Sequence, residues 1–289
     1  MSPDQLFGQL LVGLINGSFY ALLALGLSII FGLLGIVNIA QGAFYMAGAY
    51  FSWLMLQTLG VNYWAALVLS PLMVALLGVV LEKFIVFRVY GPDHMPGLLL
   101  TLGLLLIIQG VFVYIFGAVA RPYPTPDALR GGWDLSFVFL PKYRVWTVAV
   151  SILVCFATWF FIEKTSLGRT LRAANENPVL TRAFGVNVPA LMTFGFGFGV
   201  ALAGFAGVLA APLYTVSPLM GVDLIITVFA VVVVGGLGSI LGAVVTSLSL
   251  GVVEGFTKVF YPQASHMVIF VIMILVLLVR PAGLFGTEK

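Results

Sequence analysis

Residues 163–189 read EKTSLGRTLRAANENPVLTRAFGVNVP. This is the longest polar run in the chain with apolar sequence on both sides. Residues 145–162 before it carry no charge, and neither do residues 183–222 across and beyond its end. The run holds Lys164, Arg169, Arg172 and Arg182 against Glu163 and Glu176. A cationic loop between two membrane-spanning segments belongs on the cytoplasmic side. The chain is therefore read as crossing a bilayer before and after this stretch.

The loop has structure of its own. Asn177 suits a helix N-cap, where its side-chain oxygen accepts from a free backbone N–H. Pro178 suits the first helical position, and Gly185 the left-handed position past the end. These signals predict a helix over 178–184, too short to cross a membrane. A second turn is predicted from Gly168 to Ala174, with Arg169 and Arg172 on one face beside Ala173. Short capped helices outside the membrane suit the docking of a soluble partner. The plainer alternative is a basic loop that only anchors topology.

Composition agrees with the membrane reading. The chain is 62% hydrophobic and 8% charged over 289 residues, where a soluble domain has about a quarter of its residues charged. No charged residue occurs between Asp4 and Glu82. Alternation at strand period is absent, so the expectation is an all-α polytopic transmembrane bundle rather than a barrel. One polytopic domain fills residues 1–289. The start MSPDQ lacks the cationic opening of a signal peptide, so the first apolar stretch is expected to be retained. Cys155 is the single cysteine, which excludes a disulfide within the chain and gives no support to a cysteine metal site. The net charge of +3 is spread over separate loops; this pattern reflects membrane orientation and not nucleic-acid binding.

Eight to nine apolar segments follow in order, some broken by glycine. The first covers 6–34, with Gly13, Gly17 and Ala21 at the four-residue spacing that lets helices approach closely in lipid. Asn16 adds a polar group there. Residues 32–50, GLLGIVNIAQGAFYMAGAY, carry Asn38, Gln41 and Tyr45. Amides are costly in hydrocarbon, so Asn38 and Gln41 are expected to face the bundle interior. Two readings stay open: a broken turn lining a solute path, or helix–helix hydrogen bonding. Spans are expected at 63–81 and 97–117, the latter carrying Gln109. Residues 118–143, rich in proline, are expected to be external and mostly irregular. Further spans are expected at 145–162 and 190–213, the last with a ladder of Gly195, Gly199, Ala203 and Gly207.

Residues 224–253 are broken by GGLGS, containing Gly235, Gly236 and Gly238. Neither piece covers a hydrocarbon core of roughly 30 Å, so the segment is one kinked span or a re-entrant pair. Glu254 and Lys258 stand four apart and can pair. Asp223 and Glu254 are read as interfacial. A last span is expected over 265–279. The loops of the 163–189 side carry six Lys/Arg, against four in 118–144, which favours the stated orientation.

Several chemistries find no support. There is no GxxxxGK[ST] for ATP, no HExxH for a metal, and no GxGxxG after a strand. His94 and His266 stand alone and are read as structural or interfacial. Intramembrane carboxylate pairs, of the kind a proton-coupled transporter uses, are missing. The chain is read as a non-enzyme with no cofactor of its own.

Four blocks carry a family resemblance: NGSFYALLALGLSIIFGLLGIVNIAQGAFYMAGAY from Asn16, GRTLRAANENPVLTRAFGVNV from Gly168, VVVVGGLGSILGA from Val231, and LLVRPAGLFG from Leu277. Together they resemble the LivH-type permeases of branched-chain amino-acid ABC importers, in family order and over nearly the whole chain. The resemblance implies an inner-membrane permease subunit working with a homologous permease, two cytoplasmic ATPases that carry ATP and Mg, and a periplasmic binding protein. It makes the helix after Asn177 the coupling helix, with contacts drawn from Gly168, Arg169, Arg172, Ala173, Ala174, Asn177, Pro178, Arg182 and Gly185. Ala173–Ala174 match the importers' EAA motif, but the glycine downstream is not at the usual spacing. The family often has histidine where Gln41 stands; if that side chain meets solute, specificity differs from leucine, isoleucine and valine. Related permeases carry urea, short amides or aromatic acids, and sugar or nucleoside permeases belong to the same importer class.

Overall fold

Helix α1 (Pro3–Leu34) runs antiparallel along α10 (Ile240–Phe260), and this pair is the longest packed seam in the protein. Glycine makes it possible. A Cβ on Gly13 would sit 2.5 Å from the Gly251 carbonyl oxygen, and one on Gly17 would sit 2.9 Å from that of Ser247. Backbone meets backbone along the seam, so helix contact in lipid comes from close van der Waals packing. The computed structural model describes residues 3–90, 95–135, 138–265 and 267–286. His94 and His266, read above as structural or interfacial, lie outside these residues.

Between α1 and α10 come α2 (Gln41–Leu59), α3 (Tyr63–Phe84), α4 (Met95–Phe116), α5 (Lys142–Lys164), α6 (Ser166–Glu176), α7 (Pro178–Ala183), α8 (Val188–Ala210) and α9 (Met220–Gly235); α11 (Met267–Val279) follows. Among the described residues, α1, α3, α4, α5, α8 and α10 are long and apolar enough to cross a membrane. Helices α9 and α11 are apolar but shorter. The polytopic helical bundle read from the sequence is therefore present. Caps set several starts: Asn62, Asn187 and Ser239 each accept a backbone N–H at the head of α3, α8 and α10, filling a donor the helix leaves open.

Helix α8 is the axis of the bundle. Gly195, Gly199 and Gly207 turn one face to α1 and α2, where Gly199 abuts Gly26 and Ile30 and Gly207 lies on the backbone of Tyr45 and Ala49. The opposite face, with Gly197 and Gly204, receives Val79 and Val74 of α3. Around this centre, α3, α4, α5 and α11 expose apolar side chains such as Leu76, Leu106, Leu153 and Leu275. These outer faces are the ones a bilayer covers.

One expectation changes. Residues 118–143 are not mostly irregular: they hold an antiparallel hairpin, β1 (Gly132–Leu135) with β2 (Val138–Pro141), and a single turn of 3-10 helix. Backbone pairing of Arg121 with Val216 ties the segment to the α8–α9 connection. Proline density suggests disorder only where no partner strand is available, and here the chain supplies its own. Glu254, near the end of α10, is 1% exposed, because α1 covers it along the α1–α10 seam.

The GGLGS break makes a helical hairpin of α9 and α10. Gly236 has φ +98° and Gly238 φ +83°, values open to glycine and closed to most side chains. Gly235 and Gly242 then meet backbone to backbone. The tail completes the turn: Leu284 N–H donates to Val234 O at 2.8 Å and Phe285 N–H to Gly235 O at 3.2 Å. Those are terminal carbonyls of α9, which have no partner inside their own helix.

Candidate functional site

A half-open cavity of about 530 Å³ lies between the first half of α1, the α8–α9 connection, the first turns of α9 and the end of α10. It lies on the side of the bundle that carries residues 118–143, since Arg144 at the start of α5 lines it. Helical spacing builds two of its walls. Val12, Ile15, Asn16, Phe19 and Tyr20 form one stripe of α1, and Met220, Asp223, Leu224 and Thr227 one stripe of α9. Glu254 and Lys258, one turn apart on α10, close the polar end. Tyr45 of α2 and Tyr214 of the α8–α9 connection complete the lining. The volume falls in the range of small-molecule sites.

A hydrogen-bonded chain runs through this cavity. The Glu254 carboxylate accepts from the Tyr20 hydroxyl at 2.7 Å and pairs with the Lys258 ammonium at 2.7 Å. Asn16 Nδ2 points to Glu254 Oε1 at 3.5 Å, while Asn16 Oδ1 accepts from the Tyr214 hydroxyl at 2.8 Å. A carboxylate buried at this depth needs a cation and several donors to stay charged, and α1 and α10 supply them. Phe19 meets Tyr214 edge to face at 5.9 Å between centroids.

The sequence-predicted path residues divide. Asn16 and Tyr45 line the cavity. Asn38 and Gln41 do not: Gln41 Nε2 donates to Gly199 O at 2.8 Å, and Asn38 Nδ2 donates to Gln41 Oε1 at 3.3 Å. They act as a hydrogen-bonded tie between α2 and α8, the second of the two readings left open. Gln109 stands half-buried on α4, away from the cavity lining. Sequence reasoning missed Arg144, Asp223, Tyr214 and the Glu254–Lys258 end. The available signal was a charged residue at each end of an otherwise uncharged run.

At the other end of α5, residues 163–189 form a helical pair. Thr165 Oγ1 accepts from Gly168 N–H and starts α6; Asn177 Oδ1 accepts from Leu180 N–H at 2.9 Å and starts α7. Gly185, at φ +81°, ends α7. Gly168, Leu171 and Ala174 are buried along one face of α6, and any Cβ on Gly168 would fall on the Ile162 carbonyl. Leu171 reaches toward Gly195 of α8. Arg172 forms an ion pair with Glu163, and Thr181 Oγ1 donates to Ala173 O at 3.0 Å. The pair is thus bolted to α5 and α8. Its outer surface shows Arg169, Ala173, Asn177 and Arg182 around Val179, Leu180 and Phe184, with Val179 78% and Phe184 80% exposed. Pro178 is half-buried at the first position of α7.

Glu82, at the end of α3, is buried on the same side. Its carboxylate accepts from Tyr90 at 2.6 Å and from Thr193 of α8 at 2.8 Å, so α3 and α8 are also tied at this end.

The family model described as branched-chain amino acid transport system / permease component matches residues 9–277. The chain belongs to this family. It is a multi-pass membrane protein of a transport permease family, not of an enzyme family. Among its relatives is the high-affinity branched-chain amino acid transport system permease protein BraD of Pseudomonas aeruginosa, 31% identical over 97% of this chain and 96% of that protein. LivH of Escherichia coli K12, a permease protein of the same description, is 28% identical over 97% of this chain and 96% of its own length. LivM of the same organism, also so described, is 31% identical over 93% of this chain and 68% of its own length. The match to the family runs through three of the four blocks that carried the resemblance and ends at Leu277, where the fourth begins; the fold joins the third and fourth, since the GGLGS turn and the GLFG tail are hydrogen-bonded neighbours.

Proposed function

We propose that this chain is the permease subunit of an ATP-driven importer, and that it forms part of the path for branched-chain or related amino acids across a bacterial inner membrane. The observation that carries the reading is the outer surface of the α6–α7 pair. Val179, Leu180 and Phe184 are exposed on a segment too polar to enter lipid, with Arg182 exposed on the same helix and Arg169 exposed on α6. An exposed apolar patch with a charged rim is a protein-docking surface. Because α6 is fixed to the ends of α5 and α8, a partner that moves this pair moves both helices. Two cytoplasmic ATPase subunits are the partners, and they hold ATP and Mg; this chain needs no cofactor.

A second, homologous permease completes the membrane unit. Support comes from one organism carrying both LivH and LivM, each similar to this chain. A periplasmic binding protein delivers solute at the opposite end, against the 118–143 segment and the α8–α9 connection beside the cavity. The 163–189 loop faces the cytoplasm, in keeping with its excess of Lys and Arg.

The test is reconstitution into proteoliposomes. The complete importer takes up leucine only with ATP at the ATPase face, and Phe184→Asp or Arg182→Asp removes ATPase co-purification and uptake together. Leucine accumulation by this chain alone, under a sodium or proton gradient, overturns the proposal.

A further inference from the structure

A second cavity, of about 250 Å³, lies between the first half of α1, the strand β2 and the first two turns of α5. Leu11 and Leu14 line it from α1, Val145 and Val148 from α5, and Phe139 from β2. Its volume is below the roughly 300–1,000 Å³ of sites that hold small solutes, and its lining is apolar except for Arg144. The slot opens toward lipid. Ala149, on its lining, is exposed, and Ile152, Leu153 and Phe156 carry the same exposed apolar face of α5 on across the span. Phe139 and Trp133 of the hairpin are also exposed, with the Lys142 ammonium 5.9 Å from the Trp133 ring; aromatic and basic side chains together mark a headgroup boundary. The charge at this end has one sign. Lys142 and Arg144 both stand in the first turn of α5, no acid accompanies them there, and no side chain caps the helix. The free N–H groups of a helix start add to that positive field, and no Asp or Glu lines the slot.

We propose that this slot seats an anionic glycerophospholipid from the leaflet on the 118–143 side, with one acyl chain between α1 and α5 and the phosphate at Arg144 and the start of α5. The slot takes a chain because an empty apolar recess forfeits the dispersion contacts of its walls, and hydrocarbon is the medium at its mouth. The charge selects the head. A net negative headgroup is drawn to the two basic side chains, whereas a zwitterionic one brings a cation of its own and gains less. A transmembrane helix of another subunit would fill the slot and leave its positive end without a counterpart. Ile15 and Arg144 line both this slot and the larger cavity, so the lipid stands against the cavity's wall and holds α1 to α5 there. The inference goes beyond the importer reading and does not depend on it.

The experiment uses the full-length chain, purified in detergent with the subunits that accompany it and then delipidated. Phosphatidylglycerol or phosphatidylcholine with the same oleoyl chains is added, and the lipid retained on this chain is counted by native mass spectrometry. Phosphatidylglycerol is expected to be retained at least about fivefold better at equal concentration, the factor of one basic side chain beside an anionic head. Arg144→Gln is expected to remove that preference. Arg130→Gln, which takes away an exposed cation of the same side that is paired with Asp127, is expected to keep it. Gly8→Trp fills the slot from a position where nothing lies within 4 Å of a Cβ, and is expected to cut retention of both lipids while elution from gel filtration stays that of wild type. Equal retention of the two lipids by wild type, or no lipid retained, overturns the proposal. So does retention unchanged in both Arg144→Gln and Gly8→Trp, and so does an equal loss of preference in Arg130→Gln, which would assign selection to diffuse charge and not to this seat.

Discussion

The Gln41 side-chain amide donates to the Gly199 carbonyl at 2.8 Å, across the contact between α2 and α8. The bond crosses two helices at a point where both are fully buried. Gly26 of α1 closes the site from the third side, since a Cβ there would strike the Gln41 amide. Three helices therefore meet around one amide. Its oxygen is used as well, by Asn38.

Gln41→Leu keeps the bulk and removes both hydrogen bonds. It is expected to lower stability by about 1–2 kcal/mol, the range of a buried helix–helix hydrogen bond with its orphaned partners. The check is thermal unfolding in detergent together with a solute competition series. A lower unfolding temperature with an unchanged solute ranking is the expected result. A changed ranking would return Gln41 to the solute path.

Gly251→Leu places a side chain where the α1 and α10 backbones touch. Overpacking of this kind costs about 1–3 kcal/mol or more when backbone must move. Gly103→Ala is the control, because nothing lies within 4 Å of a Cβ there, and alanine is the better helix former by about 1 kcal/mol. Thermal unfolding should fall for the first and hold or rise for the second.

Gly168→Ala forces α6 off the end of α5. The expected outcome is near-complete loss of ATP-driven uptake with this chain still inserted in the membrane. Arg172→Gln, by contrast, breaks a partly exposed ion pair with Glu163, and such pairs contribute about 0.2–1 kcal/mol. Stability should barely change in that variant, and uptake measured in vesicles then reports coupling alone. Equal uptake by Gly168→Ala and wild type would show that the α5–α6 corner does not transmit motion.

A chain ending at Arg280 loses the backbone donors of Leu284 and Phe285 to α9. Two carbonyls near the GGLGS turn are then unpaired, each at about 1–3 kcal/mol if water does not reach them. Faster amide exchange in 233–243 is the expected signature, read by mass spectrometry. Unchanged exchange there would mean the tail is dispensable for the turn.

Tyr123 of the 118–143 segment is buried and shares a hydrogen bond with Ser52 of α2 at 2.9 Å. Burial raises its hydroxyl above the usual tyrosine range. Because the folded value exceeds the unfolded one, the stabilisation is complete below about pH 10 and falls as pH rises beyond it. Alkaline unfolding followed by tyrosinate absorbance should show a shallower pH dependence in Tyr123→Phe than in wild type.

Parts of this protein are legible along the chain because the signals are local. Asn177, Pro178 and Gly185 place α7 within one residue of its observed end, since caps depend on neighbours three or four positions away. The glycine ladder of α8 is visible for the same reason. The candidate cavity is less so. Asn16 and Tyr45 can be picked out as polar groups in apolar runs, yet Arg144 and Asp223 look like ordinary loop-end charges until the fold brings α5 and α9 to α1. Gln41 shows the converse: a polar residue in a span signals that a partner exists, and says nothing about whether it is solute or a helix carbonyl.

Hydrophobic length, loop charge and capping residues already dictate a helical membrane protein with a structured cationic loop, because each is a property of a short run of residues. Which groups meet at the cavity, that Glu254 is buried against α1, and that the GLFG tail seals α9 are decided only when distant segments pack. Those contacts join residues far apart in the chain, such as Asn16 with Glu254 and Leu284 with Val234, and their energies depend on backbone approach distances that no local pattern encodes.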